Sequence, residues 1–266
     1  MNATLAVFRG QVRDGWRGLL GWSLGIAAVT GLYLPLYPSL QSPALTQLLS
    51  SLPKELVRTI GYDQIASGSG YTQATFFGLI GYVLLTIAST SWGTAAIAGA
   101  EEHGRLELTL AHGIGRVHYT VASAAALLTK LLLLGCVACA LILLLNEPAE
   151  LELEPAHVIA ALAAWIGLGF VSGAAALAAG AGFGRRIWAI GAGAGVAVLG
   201  YALNAVGETS TKTEWMWRFS PYHWAFGAQP LSTGADWGGL GVLWGLALAL
   251  IFGAALALTR RDLRGY

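Results

Sequence analysis

Residues 121–145 read VASAAALLTKLLLLGCVACALILLL, an apolar run with one charged side chain, Lys130. About 20 such residues in a helix cross a bilayer core of roughly 30 Å, whereas a barrel strand needs only about half that number. Backbone amides in hydrocarbon must be hydrogen-bonded within the membrane structure, and a helix does this within its own segment. The run therefore predicts a transmembrane α-helix.

The same length criterion finds six spans in the chain. They cover residues 19–37, 74–98, 121–145, 156–180, 187–206 and 237–259. Charged residues make up only 11% of the 266 residues and the mean hydropathy is +0.63, values typical of a membrane protein. A long charged stretch precedes the first apolar run, so we expect it to remain as an anchor rather than to be cleaved. The sequence predicts one all-α polytopic membrane domain over residues 1–266.

Arginine and lysine predict the orientation of the spans. An even number of spans places both termini on one side, and that side collects Arg9, Arg13, Arg17, Arg105, Arg116, Arg185, Arg186, Arg260, Arg261 and Arg264. The other side holds Lys54, Arg58, Lys212 and Arg218, with the acidic residues Glu147, Glu150, Glu152 and Glu154. By the positive-inside rule we expect both termini in the cytoplasm.

Residues 1–18 have the pattern of an amphipathic helix. Leu5, Phe8, Val12 and Trp16 recur at helical spacing beside a row of arginines. Such a helix lies in the headgroup layer of a membrane, although the same residues also fit a merely charged flank of the first span. On the opposite side, residues 39–72 are expected to form short interfacial helices, and the tryptophans of residues 207–236 suit an aromatic belt.

A polar insert separates the second and third spans. It begins Glu101-Glu102-His103-Gly104-Arg105-Leu106-Glu107-Leu108 and continues to Gly115-Arg116. Several charges together in an apolar protein favour a helix at the membrane surface with one face offered to a partner. The alternative is a solvated loop whose charges only keep it out of the bilayer.

Residues that carry catalysis or bind metal are poorly represented. Cys136 and Cys139 have redox spacing but fall inside the third span, where cysteine usually acts as a small apolar residue. The five histidines form no zinc-ligand motif, and no phosphate-binding G-x-x-x-x-G-K-[ST] loop occurs. We therefore expect no catalytic residue, no metal site and no nucleotide hydrolysis by this chain, and no nucleic-acid partner.

Two features inside the spans allow more than one interpretation. Lys130 either reaches the inner interface with its long side chain or marks a functional site. Pairs of glycines at four-residue spacing allow close helix packing, which we interpret as intramolecular contact in preference to a subunit interface. The pairs are Gly21 and Gly25, Gly169 and Gly173, Gly191 and Gly195, and Gly241 and Gly245.

The insert resembles a signature of known transporters. Residues 100–111, AEEHGRLELTLA, followed by Gly115-Arg116, are similar to the E-E-x-G-T-L-E-L-L-L motif and following S-R of type-2 ABC transporter permeases. Arg105 stands where the family usually has Thr, and Gly115 where it has Ser. A second similarity covers Ser220-Pro221-Tyr222-His223-Trp224 and the segment leading into the last span. With the six spans and the amphipathic N-terminus, the resemblance covers nearly the whole chain.

This resemblance implies the membrane subunit of an exporter for small or amphipathic substrates, including multidrug efflux. The insert would be the coupling helix, with Glu101, Glu102 and Glu107 fixing its register, Leu106 as apolar anchor and Gly104 allowing close approach to a separate ATPase. Family members work as two permease units with two ATPases, which bind ATP and magnesium. The chain would therefore pair with itself or with a similar permease, and it has no cofactor of its own.

Two other function classes compete with this interpretation. An ion-driven or facilitative carrier would need charged groups at the middle of the membrane, where Lys130 is the one candidate. A non-transporting scaffold or an intramembrane enzyme would need a catalytic constellation, which the sequence does not provide. The residues that bind the substrate are not identified by any motif.

Overall fold

Six helices long and apolar enough to cross a membrane form this all-α, multi-pass protein. The computed structural model describes residues 3–41 and 67–261. The spans are Trp16–Leu40 (span 1), Gly68–Ala96 (span 2), Arg116–Asn146 (span 3), Pro155–Phe183 (span 4), Arg186–Gly207 (span 5) and Trp237–Arg260 (span 6). The predicted all-α polytopic fold is thus confirmed, and all six predicted spans coincide with these helices.

The helices extend beyond most of the predicted boundaries. Span 2 begins at Gly68, and its residues Gln73–Ile80 form a π-helical stretch. Span 3 begins with the polar residues Arg116, His118 and Tyr119, which a hydropathy window leaves out. Helices continue past the apolar core because their ends still satisfy backbone hydrogen bonds at the polar surface.

Span 4 lies at the centre of the bundle. Its main neighbours are spans 2, 5 and 6, and most of its residues are buried, including Trp165. Small residues permit this packing: a side chain on Gly173 would collide with Leu127, and Gly93 of span 2 lies directly against the Gly173 carbonyl. Phe76 and Phe77 of span 2 pack on the Trp165 ring at centroid distances of 5.7 and 6.4 Å.

One of the four glycine pairs packs as predicted. Gly169 and Gly173 lie against Leu85 and Leu127 of the same chain. The other three pairs have open space where a side chain would stand, with no heavy atom of the described residues within 4 Å. The prediction of intramolecular contact is therefore wrong for these three pairs, because they lie on outward faces of spans 1, 5 and 6.

The remaining elements are short and lie at the two ends of the bundle. The helix Ala3–Asp14 (the N-terminal helix) precedes span 1, and the helices Ala98–Glu102 and Arg105–Ala111 lie between spans 2 and 3. We call this end, which carries both features, the arginine-rich end. The opposite end holds a 3-10 helix at Glu214–Phe219 and helices at Pro221–Phe226 and Pro230–Thr233.

Some of the residues used for predictions lie outside the described residues. They are most of the segment 39–72, with Lys54 and Arg58, and Arg264, which was used for the orientation. The N-terminal helix is shorter than the predicted 1–18. Leu5 is exposed on it, Phe8 and Val12 are half-buried, and Gln11 donates a hydrogen bond to Ser123 of span 3 (2.8 Å). Trp16, the first residue of span 1, is exposed as well. The N-terminal helix is thus attached to the bundle while part of its apolar surface faces outward.

Candidate functional site

The polar insert forms two short helices joined by a left-handed turn. We call residues 98–115 the inter-span segment. Gly104 has φ +67°, a conformation that costs side-chain-bearing residues energy but not glycine. A side chain built at Gly104 meets no atom within 4 Å, so the glycine is required here by the turn and not by a close contact inside the chain. The turn separates the first helix, which ends at Glu102, from the second, which begins at Arg105.

Leu106 lies inside the chain's own core. Its side chain is fully buried in a cluster at the arginine-rich end, which also contains Ala96, Ile97, Ala100, Tyr119, Leu177, Ala181, Ala254 and Leu258. The expectation that Leu106 anchors the segment in a partner's groove does not fit this position, because no partner can reach the side chain. Leu106 instead fastens the inter-span segment to the ends of the spans.

Glu101 and Glu102 are also engaged within the chain. Glu101 forms an ion pair with Arg261, just after span 6, and both side chains are mostly buried. Glu102 accepts a hydrogen bond from the backbone N–H of Arg186 (2.9 Å), at the first turn of span 5. A carboxylate at this position satisfies a free amide and interacts favourably with the helix dipole.

Arg116 holds the start of span 3 against the end of span 6. Its guanidinium donates to the carbonyls of Leu258 (2.8 Å) and Arg261 (2.5 Å), which the helix itself leaves unpaired. A cation at a helix C-terminus is stabilised by the dipole as well. The sequence motif indicated that Arg116 matters, but its partner on span 6 is 142 residues away and no local signal identifies it.

The outward surface of the segment is made by other residues. Leu108 is 65% exposed, and Arg105, Ala111 and His112 are exposed beside it. Glu107 is half-buried and forms no ion pair within the described residues. Of the five predicted coupling residues, Glu107 is therefore the one whose charge is left without an intramolecular partner, and Leu108, which the sequence analysis did not select, is the exposed apolar side chain.

A cavity lies behind the inter-span segment. It has a volume of about 620 Å³ and is bounded by the N-terminal helix, spans 2 and 3, and the inter-span segment. Lys130 lines it and is only 6% exposed, so its side chain is enclosed, which does not fit the interpretation that it reaches the inner interface. Gly15, between the N-terminal helix and span 1, lies against Lys130, a contact that no local sequence pattern indicates.

The opposite end contains a polar and aromatic cluster around the second motif. Ser220 caps the helix Pro221–Phe226 and donates to the Gly200 carbonyl (2.6 Å), while the Tyr222 hydroxyl donates to Gly78 (3.0 Å). Burial raises the pKa of Tyr222. These bonds connect the motif to spans 5 and 2, which is a structural role.

His223 belongs to the same cluster. Its ring stacks on Trp217 with centroids 4.7 Å apart, and its Nδ1 lies 3.1 Å from the Asn204 side-chain oxygen. Burial lowers the pKa of His223, and the nearby carboxylates of Glu208 and Asp236 offset part of that effect.

Side chains that could bind a metal do not cluster among the described residues. No three His, Cys, Asp or Glu side chains there come together as a metal site. Cys136 is exposed and Cys139 is half-buried, and both are free thiols on span 3.

No protein-family model matches the chain, and no curated protein is significantly similar to it. The function of this chain is therefore inferred from its residues and from their geometry.

Proposed function

We propose that this protein is the membrane-spanning subunit of an ABC exporter in a bacterial inner membrane. The carrying observation is the construction of the inter-span segment, whose inner side is fixed by Leu106 and Glu101 while Leu108 is presented outward. A docking helix that transmits movement must be firmly attached to the spans and must offer exposed contacts to its partner. The segment combines both properties, and its sequence resembles the coupling region of type-2 permeases.

In this proposal a separate ATPase binds ATP and magnesium and docks on the exposed side of the segment. A few side chains contribute most of the affinity of a protein interface, and an apolar side chain contributes when the partner buries it. Charged rim residues contribute mainly to orientation and specificity. Leu108 takes the anchoring role that Leu106 cannot fill, and Glu107 with Arg105 would set the register.

Six spans supply half of a transporter, so the working unit contains two permease subunits and two ATPases. The three outward glycine pairs are compatible with close approach of a second copy. Both termini and the arginine-rich end lie in the cytoplasm in this arrangement. The transported molecules are small or amphipathic compounds that move outward.

An ion-driven carrier is supported less well. Proton- and cation-coupled carriers commonly use acidic side chains within the membrane. None of the six spans contains Asp or Glu between its first and last residue. Lys130 is a cation, and the described residues place no acidic partner in contact with it.

Co-purification from the native host tests the proposal. Tagged wild-type protein should bring down a P-loop ATPase in equal amount, with measurable ATP hydrolysis in the purified complex. Leu108→Ala should weaken this association by about 2 kcal/mol, roughly 30-fold, because it truncates the exposed anchor. Leu144→Ala is the matched control, since Leu144 is 71% exposed at the other end of span 3.

Two results would contradict the proposal. If no P-loop protein accompanies the wild-type chain, the exporter assignment fails. If the ATPase is present but Leu108→Ala and Glu107→Lys retain it as well as Leu144→Ala does, the inter-span segment is not the docking site.

A further inference from the structure

Within the part of the chain that the structure describes, Lys130 is a buried cation without an anionic partner. Its side chain is 6% exposed, and no carboxylate of the described residues lies within 4.0 Å of the ammonium. The Trp92 ring lies beside the ammonium, with its centroid 5.3 Å from Nζ. A cation–π contact offsets only part of the cost of removing an ammonium from water. The ammonium therefore retains unused capacity for an anion.

The surroundings of the ammonium leave room for such an anion. The side chain lies in the wall of the cavity of about 620 Å³, a volume within the range of small-molecule sites. Gly15, at the junction of the N-terminal helix and span 1, faces it: a methyl group at this position would stand 3.3 Å from Nζ. Glycine thus keeps the space beside the ammonium open.

The charges around the cavity favour an anionic ligand. Arg105 and His112 of the inter-span segment line it together with Lys130, and Asp14 is the one acidic residue in the lining. Two basic side chains and a histidine thus face a single carboxylate. Gln11 and Thr109 add neutral hydrogen-bonding groups.

The rest of the lining is apolar. Val7, Ala95, Ala96, Ala100 and Ile114 contribute aliphatic surface next to Trp92. A small free anion would leave this surface without a contact, whereas the first carbons of an acyl chain would cover it. Leu5 of the N-terminal helix and Trp16 at the start of span 1 are apolar side chains exposed on the outside of the bundle.

We propose that this cavity binds the anionic head, a phosphate or carboxylate, of an amphiphile whose chain extends along the N-terminal helix. Lys130 contacts the anionic head directly. Arg105 and His112 line the side of the cavity that the inter-span segment forms. This inference concerns binding and does not require that the chain be an exporter.

Native mass spectrometry of the full chain in a neutral maltoside detergent measures this binding. We expect one tightly held phosphatidylglycerol per chain, weaker retention of phosphatidylcholine and no competition by inorganic phosphate at equal concentration. Lys130→Met should weaken phosphatidylglycerol binding about tenfold or more, the loss expected when a charged contact is removed. Arg13→Gln is the matched control, because it removes one exposed positive charge that does not line the cavity.

A second variant tests the cavity without changing charge. Gly10 lines the cavity, and a side chain at this position meets no atom within 4 Å. Gly10→Leu should therefore fill the space, improve helix propensity and weaken phosphatidylglycerol binding. Thermal unfolding checks that both variants are folded, and Lys130→Met should unfold no earlier than wild type because it removes an unpaired buried charge.

Three outcomes would overturn the inference. Equal phosphatidylglycerol binding by wild type and Lys130→Met excludes the ammonium as the contact. Equal retention of phosphatidylcholine shows an apolar crevice without charge recognition. Inorganic phosphate that competes as well as the lipid assigns the cavity to a free anion and not to an amphiphile.

Discussion

Leu106 and Leu108 lie two residues apart on one short helix, and their truncation should change the stability of the inter-span segment to very different extents. Leu106 is fully buried at the arginine-rich end, whereas Leu108 is 65% exposed. Leu106→Ala would leave a cavity between the segment and the ends of spans 2, 3, 4 and 6. Truncations of buried leucines to alanine typically cost about 2–5 kcal/mol in free energy of unfolding.

The expected magnitude can be applied to local opening of the segment. A loss of about 3 kcal/mol raises the population of the undocked segment roughly 150-fold. Leu108→Ala should change this population by less than about 0.5 kcal/mol, as exposed substitutions generally do. Hydrogen–deuterium exchange of peptides covering residues 98–113, in the full chain, reports the opening equilibrium.

Leu106→Ala should therefore lose protection in this segment while peptides from span 4 keep theirs. Leu108→Ala should exchange like wild type. If both variants exchange like wild type, the burial of Leu106 does not hold the segment in place and the structural basis of the docking proposal is lost. If Leu108→Ala loses more protection than Leu106→Ala, the inward and outward assignments are reversed.

Two other predictions concern topology and pH. Single cysteines at Thr109 and Glu150, in a background without Cys136 and Cys139, should react with an impermeant thiol reagent from opposite sides of the membrane, and reaction from one side would contradict the six-span arrangement. Burial lowers the pKa of His223, so its contribution to stability is complete above the ordinary histidine pKa of about 6.5 and is lost as the pH falls toward the lower pKa of the folded state. Thermal unfolding between pH 8 and pH 5 should therefore show a loss of stability that the His223→Gln variant lacks. An identical pH profile for the two proteins would refute this prediction.

The spans could be predicted because each is a continuous apolar run, and hydrocarbon permits little else than a helix. The site could be predicted only in part. Leu106 and Leu110 are four residues apart and share one face of a helix, whereas Leu108 lies on the opposite face. The local sequence does not indicate which of the two faces turns toward the bundle. The packing of the segment on the ends of the spans decides this, with Leu106 and Leu110 at the core cluster.

Lys130 illustrates a second limit. The distance of a lysine from the predicted end of a span suggests whether its side chain can reach water, but the covering element lies far away in sequence. Here that element is the N-terminal helix and its junction at Gly15. Contacts between distant segments are set by the packing of the whole bundle, and a periodicity argument does not include them.

The attachments at the arginine-rich end also determine how the protein responds to mechanical load. The inter-span segment follows span 2 and leads into span 3. Glu101 joins it to the end of span 6, and Glu102 joins it to the start of span 5. At the start of span 3, Arg116 forms a further hydrogen bond with span 6. A push on Leu108 is therefore shared by four helices at once. We therefore expect the segment to move together with the four helices that it joins, and not independently of them.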